Sequence, residues 1–257
     1  MTAIERTRTR LTHYRFSHVA RMEWVKLRSL RSTCRTFGVT IAAAIGIAIA
    51  VGLKTKNGTG DLTDNALGGV APGLLLTGVM GVLVMTSEYT SGMIRSTLTA
   101  APNRSLLLAA KAAVFGSVSL VVGETASFAA FFSGTTSLPR TITGPTLSQP
   151  GVLRSVVLTG AGYCLIGLFG VGLGAIIRHT PAAIATLVGG VYVAGTALVA
   201  LSRSIGSFGP VSIVANSLAA TRWLPHALSP WAGLGMLCLY AALALGVGGW
   251  LLVRRDA

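Results

Sequence analysis

Charge is what this chain has least of. Only 11% of its 257 residues are Asp, Glu, Lys or Arg, and Asp plus Glu number 7. A soluble domain usually carries about 25% charged residues. Lysine occurs only at Lys26, Lys54, Lys56 and Lys111, never after glycine. The G-x-x-x-x-G-K-[ST] cradle for nucleotide phosphates is therefore absent. So are the H-E-x-x-H zinc motif and the G-x-S-x-G nucleophile motif. His13, His18, His179 and His226 lie outside the apolar blocks, with no carboxylate placed beside them for general-base or metal chemistry. Cys34, Cys164 and Cys238 stand far apart and form no C-x-x-C pair, which leaves packing as their expected role. The chain is expected to bind no cofactor or metal and not to be catalytic by itself.

Hydrophobic residues make up 52% of the sequence and come in long blocks. Blocks of about 18 or more residues with almost no charge read as membrane-spanning helices, which satisfy their own backbone hydrogen bonds in lipid. Six are expected, over Thr36–Leu53, Ala66–Thr86, Leu106–Phe132, Leu153–Ile177, Ala182–Leu201 and Trp231–Val253. The first block follows a long basic stretch, so no cleaved signal peptide is expected. Arg178 and His179 supply a polar turn between the fourth and fifth spans, and Pro181 suits the first turn of the next helix. With six spans, 15 of the 21 basic residues fall on one side, together with both termini. The positive-inside rule makes that side cytoplasmic and the chain a multi-pass protein of the cell membrane.

The formal net charge is +14. Because it gathers at the N-terminus and outside the apolar blocks, it fits an acidic membrane leaflet better than a nucleic acid. Residues 1–35 form a basic N-terminal region and 36–257 a single transmembrane domain. Phe16, Val19, Ala20, Trp24, Leu27, Leu30 and Cys34 share one helical face, with Arg21, Lys26 and Arg28 pointing elsewhere. That pattern predicts an amphipathic helix lying on the membrane interface. Gly69/Gly73 and Gly170/Gly174 are G-x-x-x-G pairs that allow close helix approach, within the chain or between subunits. In the long outer loop Ser202–Pro230, the ten residues VSIVANSLAA are too few to span, so they are re-entrant, interfacial or a short cover. One carboxylate, Glu124, falls within a span, about 20 Å of helix beyond Lys111. Lys111 is expected to snorkel to the cytoplasmic interface. Glu124 is either part of a substrate path or paired with Arg140 or Arg154 near the outer surface.

Between the second and third spans stands SEYTSGMIRSTLTAAPNRSLLLAAK, residues 87–111. Gly92 and Pro102 bracket a piece, Met93–Ala101, long enough for one or two helical turns. This stretch resembles the cytoplasmic loop of ABC-2-type permeases, the six-span membrane subunits of ATP-binding-cassette transporters, in the form found in high-GC Gram-positive bacteria. The similar residues are Glu88, Tyr89, Gly92, Ile94, Arg95, Pro102, Arg104 and Lys111. EWVKLRSLRST, from Glu23 to Thr33, resembles the family's N-terminal helix, and LSPWAGLGMLCLYAALALGVGGWLLVRRDA its last span and basic tail.

The resemblance implies an all-α permease subunit of an exporter. ATP and Mg would be bound by two separate P-loop ATPase subunits, and the second permease would be another copy or a relative. It implies a coupling helix around Met93–Ala101, with Glu88, Tyr89, Gly92, Met93, Ile94, Arg95 and Leu98 as ATPase-coupling residues. It also implies an interfacial contact through Glu23, Trp24, Lys26, Leu27 and Arg28. The outer segment GSFGPVSIVANSLAATRWLPHA is longer and more polar than the family pattern. Two other readings stay open: an ion-driven secondary transporter or channel in which Glu124 carries protons, and a non-transporting scaffold or immunity protein.

Overall fold

Blocks of Leu, Ile, Val, Ala and Gly with almost no interior charge have one low-cost backbone solution in lipid, the α-helix. The computed structural model describes residues 15–29, 31–56, 61–93, 103–218, 221 and 228–254, and every regular element among them is helical. Helix α1 covers Phe16–Ser29, α2 Arg31–Lys54, α3 Leu62–Leu67, α4 Val70–Thr90, α5 Arg104–Thr136 and α6 Val152–Ile177. Helix α7 spans Thr180–Leu201 and α8 Pro230–Arg254. Six of them, α2 and α4 to α8, are long and apolar enough to cross a membrane. All six expected spans are present. The first begins at Arg31, five residues earlier than composition placed it, because its basic opening turn is still helical.

Punctuation follows local chemistry. Asn103 caps α5, its side chain accepting from Leu106 N at 3.0 Å. Gly92 stops α4 in the left-handed region at φ 70°, where a Cβ would be strained. Arg178 ends α6 at φ 59°, and Pro181 opens α7 as expected. Helix α7 runs π-helical over Thr186–Val193, across its Gly189–Gly190 pair.

Helix α6 is the axis of the bundle. It packs on α4, α5 and α8, and its central window is 61% buried, against 11% for α7 at the edge. Glycine allows this. A Cβ on Gly81 would meet the Gly167 carbonyl, and one on Gly170 would meet that of Gly78, so α4 and α6 touch backbone to backbone. Gly172 sits the same way on α8, where a Cβ would lie 2.5 Å from the Ala244 carbonyl carbon. Gly69 abuts Ala44 of α2, and Gly73 faces the Tyr163 hydroxyl. Both G-x-x-x-G pairs thus serve packing within the chain. Buried polar groups pair across helices: Tyr163 OH donates to Val70 O at 3.0 Å, and Ser127 Oγ to Val156 O at 2.7 Å.

Candidate functional site

The buried polar chemistry collects at the basic end of the bundle. Along α1 the buried positions are Val19, Glu23 and Leu27, four residues apart. A glutamate therefore occupies the centre of the face that packs on α5. Of the apolar face that periodicity predicts, Val19 and Leu27 are buried while Phe16 and Trp24 are exposed, and Glu23 is buried beside them although it is not part of that face. The reason lies in α5, which offers a cation at that height. Lys111 lies two turns into α5, one turn after Leu107 and one before Phe115, and all three are buried.

Lys111 does not snorkel out. Its ammonium donates to Glu23 Oε2 at 2.7 Å and to Glu88 Oε1 at 2.6 Å. Lys26, one turn beyond Glu23, also donates to Glu88 Oε1. Glu23, Glu88 and Lys111 are each 1–2% exposed, and Lys26 is 26% exposed. Two carboxylates and two ammoniums thus form a neutral node joining α1, α4 and α5. Removing such charges from water costs several kcal/mol each, which close pairing offsets. One oxygen of each carboxylate, Glu23 Oε1 and Glu88 Oε2, is buried without a hydrogen-bond partner among the described residues.

A second layer lies beside the node. The Arg178 guanidinium stands 5.3 Å from the centre of the Tyr89 ring. Its Nη2 donates to Leu251 O at 3.0 Å, while Arg104 Nη1 donates to Leu252 O at 2.9 Å. These carbonyls belong to the last turn of α8, where a helix leaves its acceptors unsatisfied and its dipole favours cations. The ends of α4, α5, α6 and α8 on the side of the node are thereby bound together. Arg104 and Lys111 were apparent in the sequence as part of a cationic loop; their partners, 148 and 88 residues away, were not.

Of the expected coupling residues, Glu88 is in the node, Tyr89 beside it, and Gly92 and Met93 are exposed at the end of α4. Ile94, Arg95 and Leu98, with the rest of the expected coupling helix to Ala101, lie outside the described residues. So does Leu30. Glu124 is half-buried, its carboxylate against Gly160 of α6. No ion pair reaches it among the described residues, so pairing with Arg140 or Arg154 is not observed.

At the opposite end, Asp61 caps α3 by accepting from Thr63 N at 3.1 Å and Asp64 N at 3.3 Å. Its other oxygen accepts from Thr221 N and Oγ1 at 2.6 and 2.7 Å. This anchors the long segment between α7 and α8, whose Ile213, Val214 and Leu218 are buried in the main core. Part of the VSIVANSLAA stretch is therefore packed against the bundle. Burial, and secondarily the charge of Asp61, pushes the Asp64 carboxyl up to about 6.

The fold defines a helical multi-pass membrane protein with a buried ionic node at its basic end. No family model matches the chain, and no curated protein is detectably similar to it in sequence.

Proposed function

We propose that this chain is the permease subunit of an ABC-2-type transporter, an exporter energised by ATP hydrolysis on separate P-loop ATPase subunits. The observation that carries the reading is the Glu23–Lys26–Glu88–Lys111 node. It joins an N-terminal helix to the two spans that flank the polar 87–111 loop. A soluble partner pressing on that loop, or on α1, would move α4 and α5 as one body. Movement of this kind becomes coupling only if the partner binds two membrane conformations with different affinity. The basic end would face the cytoplasm, with α1 on the inner interface. A second copy or a related permease would complete the membrane part, and ATP and Mg would reside on the ATPases.

The test is co-purification with a P-loop ATPase encoded beside this chain, followed by ATPase assays. Substitution of Ile94 or Arg95 is expected to leave ATP hydrolysis by the complex but lose its stimulation by the membrane subunit. Failure to bind any such ATPase in several detergents would remove the proposal.

A second reading rests on Glu124. Its half-buried carboxylate within a span, without an ion pair among the described residues, is what a proton-driven carrier needs. On that reading, transport by vesicles persists without ATP, collapses with a protonophore, and is lost in Glu124→Gln.

A further inference from the structure

Beside the ionic node, on the outer surface of the bundle, α5 and α8 diverge to leave an apolar groove of about 460 Å³. That volume falls in the range of about 300–1,000 Å³ common to ligand sites. Leu108, Ala109, Ala112, Leu245 and Gly246 form its walls, with Ser105 and Trp250 toward the basic end. Small residues make the space. A Cβ on Gly246 would meet nothing within 4 Å, and one on Gly249 would come 3.3 Å from the Leu108 side chain. From Ser105 to Ala112 the groove runs about 10 Å along α5, well inside one leaflet of a hydrocarbon core about 30 Å thick.

The mouth is cationic. Arg254 lies 4.5 Å from the centre of the Trp250 ring, which holds a guanidinium over a residue lining the groove. Arg104 crosses the inner end from α5 to the Leu252 carbonyl of α8, adding a second positive charge there. Among the described residues no carboxylate lines the groove. Tryptophan at this level is the side chain that favours the headgroup zone. An apolar slot closed at its aqueous end by guanidinium groups matches an amphiphile with a hydrocarbon tail and an anionic head.

We propose that the α5–α8 groove binds one anionic phospholipid, its acyl chain along Ala109, Ala112 and Gly246 and its phosphate at Arg254 beside Trp250. A zwitterionic lipid would place the same chain there but gain less from the cations. The site does not depend on what energises transport, so its test and that of the proposed function fail separately.

The experiment is thermal unfolding of the full chain in dodecyl maltoside during titration with dioleoylphosphatidylglycerol or dioleoylphosphatidylcholine, with native mass spectrometry counting bound lipid. The wild type should be stabilised at lower concentrations of the glycerol lipid. Removing one cation near the headgroup should weaken that preference about fivefold, so Arg254→Gln should bind the glycerol lipid that much less tightly while its response to the choline lipid stays unchanged. Gly246→Leu and, independently, Ala109→Leu should lose bound lipid of both kinds; both positions are exposed, so the folded chain accommodates them. Equal response to the two lipids in the wild type, or an undiminished preference in Arg254→Gln, would overturn the proposal. So would a change from dimer to monomer in Gly246→Leu with bound lipid retained, which would make the groove a contact between copies.

Discussion

Lys111 shows how one side chain sets the value of its neighbours. Among the described residues it is the only cation that reaches Glu23, and it shares Glu88 with Lys26. Lys111→Met leaves two buried carboxylates against one ammonium, and breaking a buried pair in this way costs about 3–5 kcal/mol. Lys111→Met combined with Glu23→Gln restores neutrality around Glu88 and Lys26. The double variant should therefore unfold at a higher temperature than Lys111→Met alone, a non-additivity measured by thermal unfolding in detergent. A double variant no more stable than the single one would show that charge balance is not what holds the node.

Glycines separate by the same logic. Gly170→Ala forces a Cβ onto the Gly78 carbonyl and should destabilise by about 1–3 kcal/mol. Gly235→Ala, exposed on α8 with nothing within 4 Å of the new atom, should be neutral or stabilise by up to about 1 kcal/mol. Similar melting temperatures for the two variants would refute the backbone-contact account of the α4–α6 seam.

At the scale of elements, α3 and the long outer segment depend on each other through Asp61. Asp64 gives that contact a pH dependence. Its carboxyl is raised from an ordinary 3.8 to about 6, so the folded chain holds this proton more tightly than the unfolded chain. The contribution of Asp64 to stability is therefore full below pH 3.8 and is lost as pH rises through about 6. Asp64→Asn should remove this component, leaving stability flatter between about pH 4 and about pH 6 than in the wild type. Thermal melts across that window check it, and an unchanged slope would assign the pH dependence elsewhere. Helix α1 carries a different lesson. The apolar face of its sequence, with Val19, Trp24 and Leu27, says nothing of Glu23, which the charge on α5 draws inside between Val19 and Leu27. Periodicity reports which residues avoid water; it does not report what waits on the facing helix.

For the whole molecule, an even number of spans places the start of the first span and the end of the last at one end, beside the ionic node. In intact cells, tags at either terminus should resist external protease while an insertion after Gln149 is cut. Cleavage at the termini with protection at Gln149 would invert the orientation and remove the cytoplasmic coupling proposal. The bundle is built around α6, with α7 at the rim. The most disruptive substitutions should therefore map to α6 and the helices that touch it, not evenly to all spans.

Composition and blockwise hydropathy determine that this chain is helical, how many spans it has, and, through the bias of basic residues, which end is expected inside. Those properties are local: a run of 20 apolar residues has the same low-energy backbone whatever surrounds it. The sequence also marks Glu23, Lys26, Glu88 and Lys111 one at a time as charges at membrane edges. Only the tertiary structure brings them to a single buried node, sets Arg104 and Arg178 on the last carbonyls of α8, and leaves Glu124 without an ion pair among the described residues. Residues separated by 62 to 148 positions meet because glycine-lined helix faces fix how closely and at what rotation the helices pack. That rotation is a property of all the faces together, and no segment of the sequence carries it alone.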